Sequence, residues 1–599
     1  RRMAAGVFVA VVVVAGCAST SAGVQIARSD IHHTLLTAPQ DTEPTDTFPP
    51  ATQPADSLPA DSIPVSTDPT GTGPTGTAPT GTGPAGTGVP AAPDVVPVQW
   101  GSCTDQPAPW QCATISVPMD YSSPSGKQIS IALNRLPAAD PAKRIGSLVV
   151  NPGGPGGSGI QLAQEEGPNF PQAILDSFDI VGFDPRGVGA STPVQCPTNF
   201  DPESGSYARC IRLTGAYLSY LGTPNVARDL DRIRAAIGDA KLTYLGFSYG
   251  TALGGVYADM FPQNVRAMVL DGSVDPTAGR VNTTMDFTGD DFYVEQDFDT
   301  TIGIFADLCN ATTLCAAGPH ASDLIDSVEA EVRRLPTQYF TPTTRLDRDE
   351  VDNIVVSAMY NVSYWPMLAV ALKDAADGDA STLAAFDSYL QFGYPANMDD
   401  DPSFDFANLA IRCADFAGRG NASDICRGFP DTATPLPEIT AANGVAPIVV
   451  VGTRGDPATP WRYSGQLASA LGNAVSITWE GAGHTAFLTS SCITDAVTKY
   501  VVDLDVPANQ LDCPFVVGAT TLAQRADRVF GDANRASEED QMTDVLVAKG
   551  DSEADAKCVS TKLGQRNNEE LIVHELLGVD TPDLVGIRTL IEKSCAGGG

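Results

Sequence analysis

Along the middle of the chain, short apolar runs closed by glycine, proline or aspartate alternate with longer segments of helical spacing. Residues 128–133 alternate polar and apolar positions, whereas 146–151 (Gly-Ser-Leu-Val-Val-Asn), with the apolar run Leu-Val-Val at its centre, predicts a buried central strand. Further strands are predicted at 178–184, 241–247, 265–271, 446–452 and 475–479, with a helix over about 225–237. Strands that take turns with helices predict an α/β fold with a parallel sheet. The rhythm starts near Trp100, is lost between about Asp275 and Leu436, and then returns. A core of residues 96–275 and 437–515 with a mainly helical inserted lid, 276–436, accounts for that interruption. Beyond it, amphipathic stretches at 541–549, 568–577 and 584–593 predict a small helical appendage over 516–599.

The amino-terminal region follows different rules. Residues 18–95 are dominated by Thr, Pro, Ser, Ala and Gly, a composition that cannot bury a core and suits an extended tether. Ahead of it, Arg1-Arg2 and the apolar run 3–15 have the form of a secretory signal, too short to span a bilayer as a stable helix. The run ends in Val14-Ala15-Gly16-Cys17, which resembles a bacterial lipobox and marks Cys17 as the expected lipid attachment point; a soluble secreted form is the alternative. The expected location is therefore outside the cytoplasm, with the membrane touched only through that anchor. A formal net charge of -36 argues against nucleic acid or anionic lipid surfaces as partners.

Of the thirteen cysteines, those other than Cys17 fall into close sequential pairs, as expected in an oxidising compartment. The expected disulfides are Cys103 with Cys112, Cys196 with Cys210, Cys309 with Cys315, Cys413 with Cys426, Cys492 with Cys513, and Cys558 with Cys595. No CxxC or histidine-rich cluster points to a metal site, and no cofactor is expected.

The chemistry concentrates at Gly246-Phe247-Ser248-Tyr249-Gly250, where the strand 241–247 runs into small residues. A serine that must stand clear of a sheet on a tight strand-to-helix turn needs neighbours with little side chain two positions either side. Such a nucleophile needs a base and a carboxylate to orient it. Among five histidines, His32 and His33 lie on the tether side, His320 in the lid and His574 in the appendage, which leaves His484 in the glycine-bounded 481–485. Asp456, at the carboxyl end of the strand 446–452, follows the serine and precedes the histidine, the chain order expected of the acid. A glycine loop, Asn151-Pro152-Gly153-Gly154-Pro155-Gly156-Gly157, follows the first central strand. Its amides, from Gly154 first and Gly153 as the neighbouring candidate, together with the Tyr249 amide, are the expected oxyanion donors. That loop lacks the Lys-Ser/Thr of a phosphate loop and the spacing of a dinucleotide site.

Taken in order, the glycine loop, Asp184-Pro185-Arg186-Gly187-Val188-Gly189, the Ser248 turn, Asp456-Pro457-Ala458-Thr459-Pro460 and Gly483-His484 resemble the α/β-hydrolases of the prolyl iminopeptidase and tripeptidyl aminopeptidase branch. The likeness spans roughly 100–515, and is strongest with exported, lipid-anchored serine proteases and carboxylesterases. It implies an α/β-hydrolase fold, a triad of Ser248, Asp456 and His484, a supporting Thr459 in the acid loop, and a structural Arg186 buried by ion pairing. Asn151 stands where prolyl iminopeptidases carry histidine, which speaks against a narrow proline specificity. The implied substrate is a peptide, cleaved near its amino end, or an ester. Aminopeptidases of this branch often bind the free amine with acidic lid residues; Asp286, Asp290, Asp291, Glu295, Asp297 and Asp299 are a run that could supply such a site, although in a chain this acidic it reads first as a solvated face.

Overall fold

The computed structural model describes residues 96–104, 106–197, 207–275, 292–335, 346–392, 402–416, 426, 428–440, 444–531 and most of 541–595. Cys17, the tether, His32 and His33 lie outside the described residues. Among the described residues ten strands build one sheet: β1 (Gly101–Ser102), β2 (Gln111–Pro118), β3 (Gln128–Leu136), β4 (Gly146–Asn151), β5 (Phe178–Phe183), β6 (Leu242–Phe247), β7 (Val265–Asp271), β8 (Ile448–Gly455), β9 (Ala474–Ala482) and β10 (Leu511–Cys513). Their order is β1-β2-β3-β5-β4-β6-β7-β8-β9-β10.

From β5 to β10 every pairing is parallel, but β1, β2 and β3 pair antiparallel, as does β3 with β5. The sheet is thus mixed, not wholly parallel as the alternation predicts. The cause is the short connection 119–127, closed by Met119 N–H donating to Lys127 O at 2.9 Å. A parallel return needs a crossover of a dozen or more residues, whereas a turn of this length gives a hairpin.

Side chains of the central strands alternate between two cores, as a period of two requires. Leu148 and Val150 of β4 enter one cluster and Val149 the other. The first cluster continues without a break into the inserted segment through Phe305, Trp365 and Leu368. That segment is helical over Phe292–Asn310, Ala321–Glu331, Arg348–Ala358, Trp365–Ala376, Ser381–Phe392 and Pro402–Phe416. At the carboxyl end, helices Glu553–Gly564, Glu569–Leu576 and Pro582–Cys595 share a small core of Leu563, Ile572, Leu584 and Ile591. His574 Nε2 from this group meets Asp374 Oδ2 of Trp365–Ala376 at 2.6 Å. All six expected disulfides are formed.

One buried carboxyl makes the fold sensitive to pH. Glu166 ends the helix Gly159–Glu166, is 8% exposed, and its Oε1 has no hydrogen-bond partner among the described residues. Burial pushes its pKa from 4.5 up to about 7, against the Asn169 hydrogen bond and with added repulsion from Glu165. A folded-state pKa above the unfolded one gives stability that is complete below about pH 4.5 and declines as pH rises through about 7. Glu166→Gln is expected to flatten this decline and to gain up to ~3 kcal/mol at pH 8. Denaturant midpoints at pH 5 and pH 8 check it, and an equal wild-type-to-variant gap at both would contradict it.

Candidate active site

Ser248 sits between β6 and the helix Tyr249–Met260 with φ 54° and ψ -125°. A non-glycine residue in that region is strained and persists because its surroundings fix it. Its N–H donates to Asp271 O (2.9 Å), while its carbonyl accepts both Thr251 N–H (2.8 Å) and Thr251 Oγ1–H (2.7 Å). The flanking glycines are required by close approach: a Cβ at Gly246 would lie 2.6 Å from Gly250 O, and one at Gly250 would lie 2.9 Å from Asn151 Oδ1.

The glycine loop after β4 folds onto this turn. A Cβ on Gly153, whose φ is +94°, would fall 2.4 Å from Phe247 O and 2.8 Å from Tyr249 N. Gly153 N–H is committed to Asn151 Oδ1 at 3.1 Å. Gly154 N–H has no partner among the described residues, so of the two glycines Gly154 is the one with an amide to offer. Asn151 therefore shapes the loop from below in place of the histidine of prolyl iminopeptidases. Ser158 caps the helix Gly159–Glu166 by accepting from Gln161 N–H and donates to Asp184, which also accepts Ala190 N–H at 2.9 Å. In this way the 184–189 motif anchors the glycine loop.

Asp456 and His484 are brought together from the loops after β8 and β9. His484 Nδ1 lies 3.0 Å from Asp456 Oδ1 and 3.1 Å from Oδ2. Thr459 donates to the same carboxylate through its N–H (2.8 Å) and its hydroxyl (2.8 Å), and Ala458 N–H adds a contact of 3.0 Å. His484 N–H donates to Tyr360 O at 2.7 Å, and the Tyr360 ring stands edge-on to the imidazole with centroids 5.4 Å apart. Burial by itself would depress the His484 pKa; the Asp456 charge and hydrogen bond, helped by Asp271, outweigh it and hold the pKa above 6.5.

His484 Nε2 is buried and makes no hydrogen bond, with Ser248 or any other group, among the described residues. Catalytic hydrogen bonds of this kind commonly tighten only when substrate is present. The two halves of the site meet at Asp271 and Gly272. Asp271 O holds the Ser248 amide, while a Cβ on Gly272 would lie 2.9 Å from Thr459 Oγ1 and 3.3 Å from His484 Cε1.

Sequence reasoning missed three residues here. Asp271 is fully buried, accepts Ala486 N–H (3.0 Å) and Phe487 N–H (2.8 Å), and so fixes the loop behind His484. Burial, opposed by those amides, pushes its carboxyl to about 6. The signal was present, since an aspartate ends the apolar run of β7. Tyr360, in the turn after the helix Arg348–Ala358, and Asn408, on the helix Pro402–Phe416, come from the inserted segment, and Asn408 Nδ2 donates to Pro155 O at 2.7 Å. No local pattern announces such long-range contacts.

Arg186 is fully buried and every N–H is used: two reach Asp229 at 2.7 Å each, and three reach the carbonyls of Met119, Tyr220 and Pro118. None remains for a substrate. Arg186→Leu strands the Asp229 charge, and a loss of about 3–5 kcal/mol is expected. Chemical denaturation checks it; a change below about 1 kcal/mol, the range of an exposed pair, would count against it. Of the acidic run, Asp297 is paired with Arg462 at 2.8 Å. Asp299 is exposed, and Asp286, Asp290, Asp291 and the Glu295 side chain lie outside the described residues.

Residues 146–491 match the model of the alpha/beta hydrolase fold family. Over 483 residues the chain is 32% identical to serine protease Hip1 of Mycobacterium tuberculosis, covering 70% of this chain and 91% of that protein. It is 33% identical over 494 residues to carboxylesterase B of the same species, covering 71% and 91%. With tripeptidyl aminopeptidase of Streptomyces lividans it shares 31% over 486 residues, covering 69% and 86%. The chain is a serine hydrolase of the α/β-hydrolase family, in the branch that holds these proteases, carboxylesterases and tripeptidyl aminopeptidases.

Proposed function

We propose that the protein is an exported peptidase that releases short peptides or residues from the amino end of its substrates through an acyl-enzyme on Ser248. The observation that carries the reading is the buried His484, held through Nδ1 by Asp456 while Nε2 has no partner among the described residues. In this mechanism Ser248 Oγ attacks the scissile carbonyl as His484 Nε2 takes its proton, and the C–O bond forms as the carbonyl electrons move to oxygen. Asp456 stabilises the imidazolium and keeps its proton on Nδ1. The Gly154 and Tyr249 amides receive the oxyanion. When the tetrahedral adduct collapses, the C–N bond breaks and the His484 proton leaves with the amine. Water, deprotonated by His484, then attacks the acyl-enzyme and restores Ser248. Thr459 supports Asp456 and does not touch the reacting atoms.

Two of the three relatives above are named for peptide chemistry, which favours the peptidase reading. The carboxylesterase relative supports a second reading, an esterase acting on ester or lipid substrates, since one triad serves either acyl group. Six disulfides agree with export. The signal-like 1–16 and Cys17 support a lipoprotein held at the outer face of a bacterial cell membrane, with residues 18–95 as its tether.

A fluorophosphonate probe is expected to label the folded wild type and not Ser248→Ala; an unlabelled wild type overturns the serine-nucleophile assignment. Peptidyl amides and p-nitrophenyl esters, each with free and blocked amino ends, then separate the readings. Turnover of amides with a free amine supports the peptidase, and turnover of esters alone replaces it with the esterase. Mass spectrometry of the mature amino terminus tests the anchor, for which an unmodified Cys17 thiol is the disproof.

A further inference from the structure

The inserted helix Pro402–Phe416 reaches the core at two points on one face, two turns apart, and each leads to one half of the proposed oxyanion site. Asn408 Nδ2 donates to Pro155 O at 2.7 Å, immediately after Gly154 in the chain. Asp415 receives the Thr223 N–H on Oδ1 and the Thr223 hydroxyl on Oδ2, both at 2.7 Å. Thr223 Oγ1 is in turn hydrogen-bonded to the Tyr249 hydroxyl. Because an ionised carboxylate only accepts, the threonine proton goes to Asp415, and the threonine oxygen must accept from Tyr249. Thr223 is 0% and Asp415 2% exposed, so water does not compete for these bonds. Thr223 also opens the helix Thr223–Ala236, whose amino-terminal dipole favours a carboxylate at that point.

We propose that this helix sets the oxyanion donors, with Asp415 as a positioning residue acting through Thr223 on Tyr249, and Asn408 acting on the Gly154–Pro155 segment. The proposal rests on the assignment of Ser248, Gly154 and Tyr249 made above. Its consequence is that the inserted segment completes the site as well as covering it. A protein whose lid helix is displaced keeps its nucleophile and its acid–base pair but holds the developing oxyanion loosely.

The test compares Asp415→Ala, Asn408→Ala and Tyr249→Phe in the full chain, using a substrate that the wild type turns over. Asp415→Ala is expected to lower kcat about 100-fold, the scale of a small misplacement at a reacting centre, with KM unchanged. Affinity for a peptidyl trifluoromethyl ketone, which forms a tetrahedral adduct on Ser248, falls by the same factor as kcat/KM. Tyr249→Phe, which removes one oxygen and leaves the amide, lowers kcat in the same direction, and adding it to Asp415→Ala costs nothing further. Asn408→Ala also lowers kcat, and its loss multiplies with that of Asp415→Ala because the two bonds serve different donors. A loss confined to KM, unchanged kcat in the Asp415 and Tyr249 variants, or ketone affinity that does not follow kcat/KM overturns the proposal. Residual full activity in Ser248→Ala would instead remove the underlying site assignment, so the two failures are distinguishable.

Discussion

Ser248→Ala and His484→Ala are each expected to lower kcat by about 10⁶, and the double variant to lose no more than either single one. The reason is chemical. Without the imidazole the Ser248 hydroxyl keeps its proton and is a weak nucleophile; without the hydroxyl the imidazole has no proton to take. Each single change therefore removes the same step. What survives is a rate about 10³–10⁴ above water, from the oxyanion donors and from binding, which neither substitution touches. The structure sharpens the expectation for His484, because it is 5% exposed and its Nε2 has no hydrogen-bond partner among the described residues. No neighbouring base is placed to replace it: the nearest carboxylates, Asp456 and Asp271, are both engaged by hydrogen-bond donors on its far side and in the loop behind it. Steady-state kinetics of the three variants check this. Losses that multiply in the double variant, or a His484→Ala protein that keeps a sizeable fraction of wild-type kcat, would remove His484 from its role.

The legible parts of this molecule were those with local causes. Strand β4 was readable to the residue because a strand buried on both faces carries consecutive apolar residues, here Leu148, Val149 and Val150, and β7 likewise because an aspartate closes it. Strand β8 runs on to Gly455, past the expected 452, because Thr453 is fully buried and pairs with Trp479, so polarity did not end it. The antiparallel hairpin of β2 and β3 falls outside the parallel sheet that the sequence predicts, since alternation with helices describes the sheet's centre and says nothing of its edge. Around the site, the serine turn, Asp456 and His484 could be found by chain order and glycine spacing. The bonds that position them could not. Asp271 looked like the end of a strand, no local pattern marked Tyr360, and Asp415 lies 192 residues from the Thr223 it holds. Contacts of that span depend on how the inserted helices fold back over the sheet, and no local pattern carries this.

Asp456→Asn is expected to lower kcat by about 10⁴ while leaving the fold intact. In the native site the carboxylate accepts from His484 Nδ1, Thr459 N–H, Thr459 Oγ1–H and Ala458 N–H. An asparagine keeps one accepting oxygen and replaces the other by a donor. The amide oxygen is claimed by the two backbone N–H groups, so the NH₂ faces the imidazole and asks Nδ1 to accept. That tautomer places the proton on Nε2, where it blocks removal of the Ser248 proton. The charge lost with Asp456 has a second, separable effect. In the wild type the His484 pKa stands above 6.5 because the Asp456 charge and hydrogen bond outweigh burial. Since the neutral imidazole is the active base, wild-type kcat should rise with pH through an apparent pKa above that value. Remove the charge and burial dominates, so the remaining activity of Asp456→Asn should rise at lower pH than the wild type. The displacement is partial because Asp271 remains nearby and also favours the imidazolium. Profiles of kcat against pH for the two proteins measure it. A limb at the same pH in both would mean that Asp456 does not set the charge of His484, and that its contribution is orientation alone.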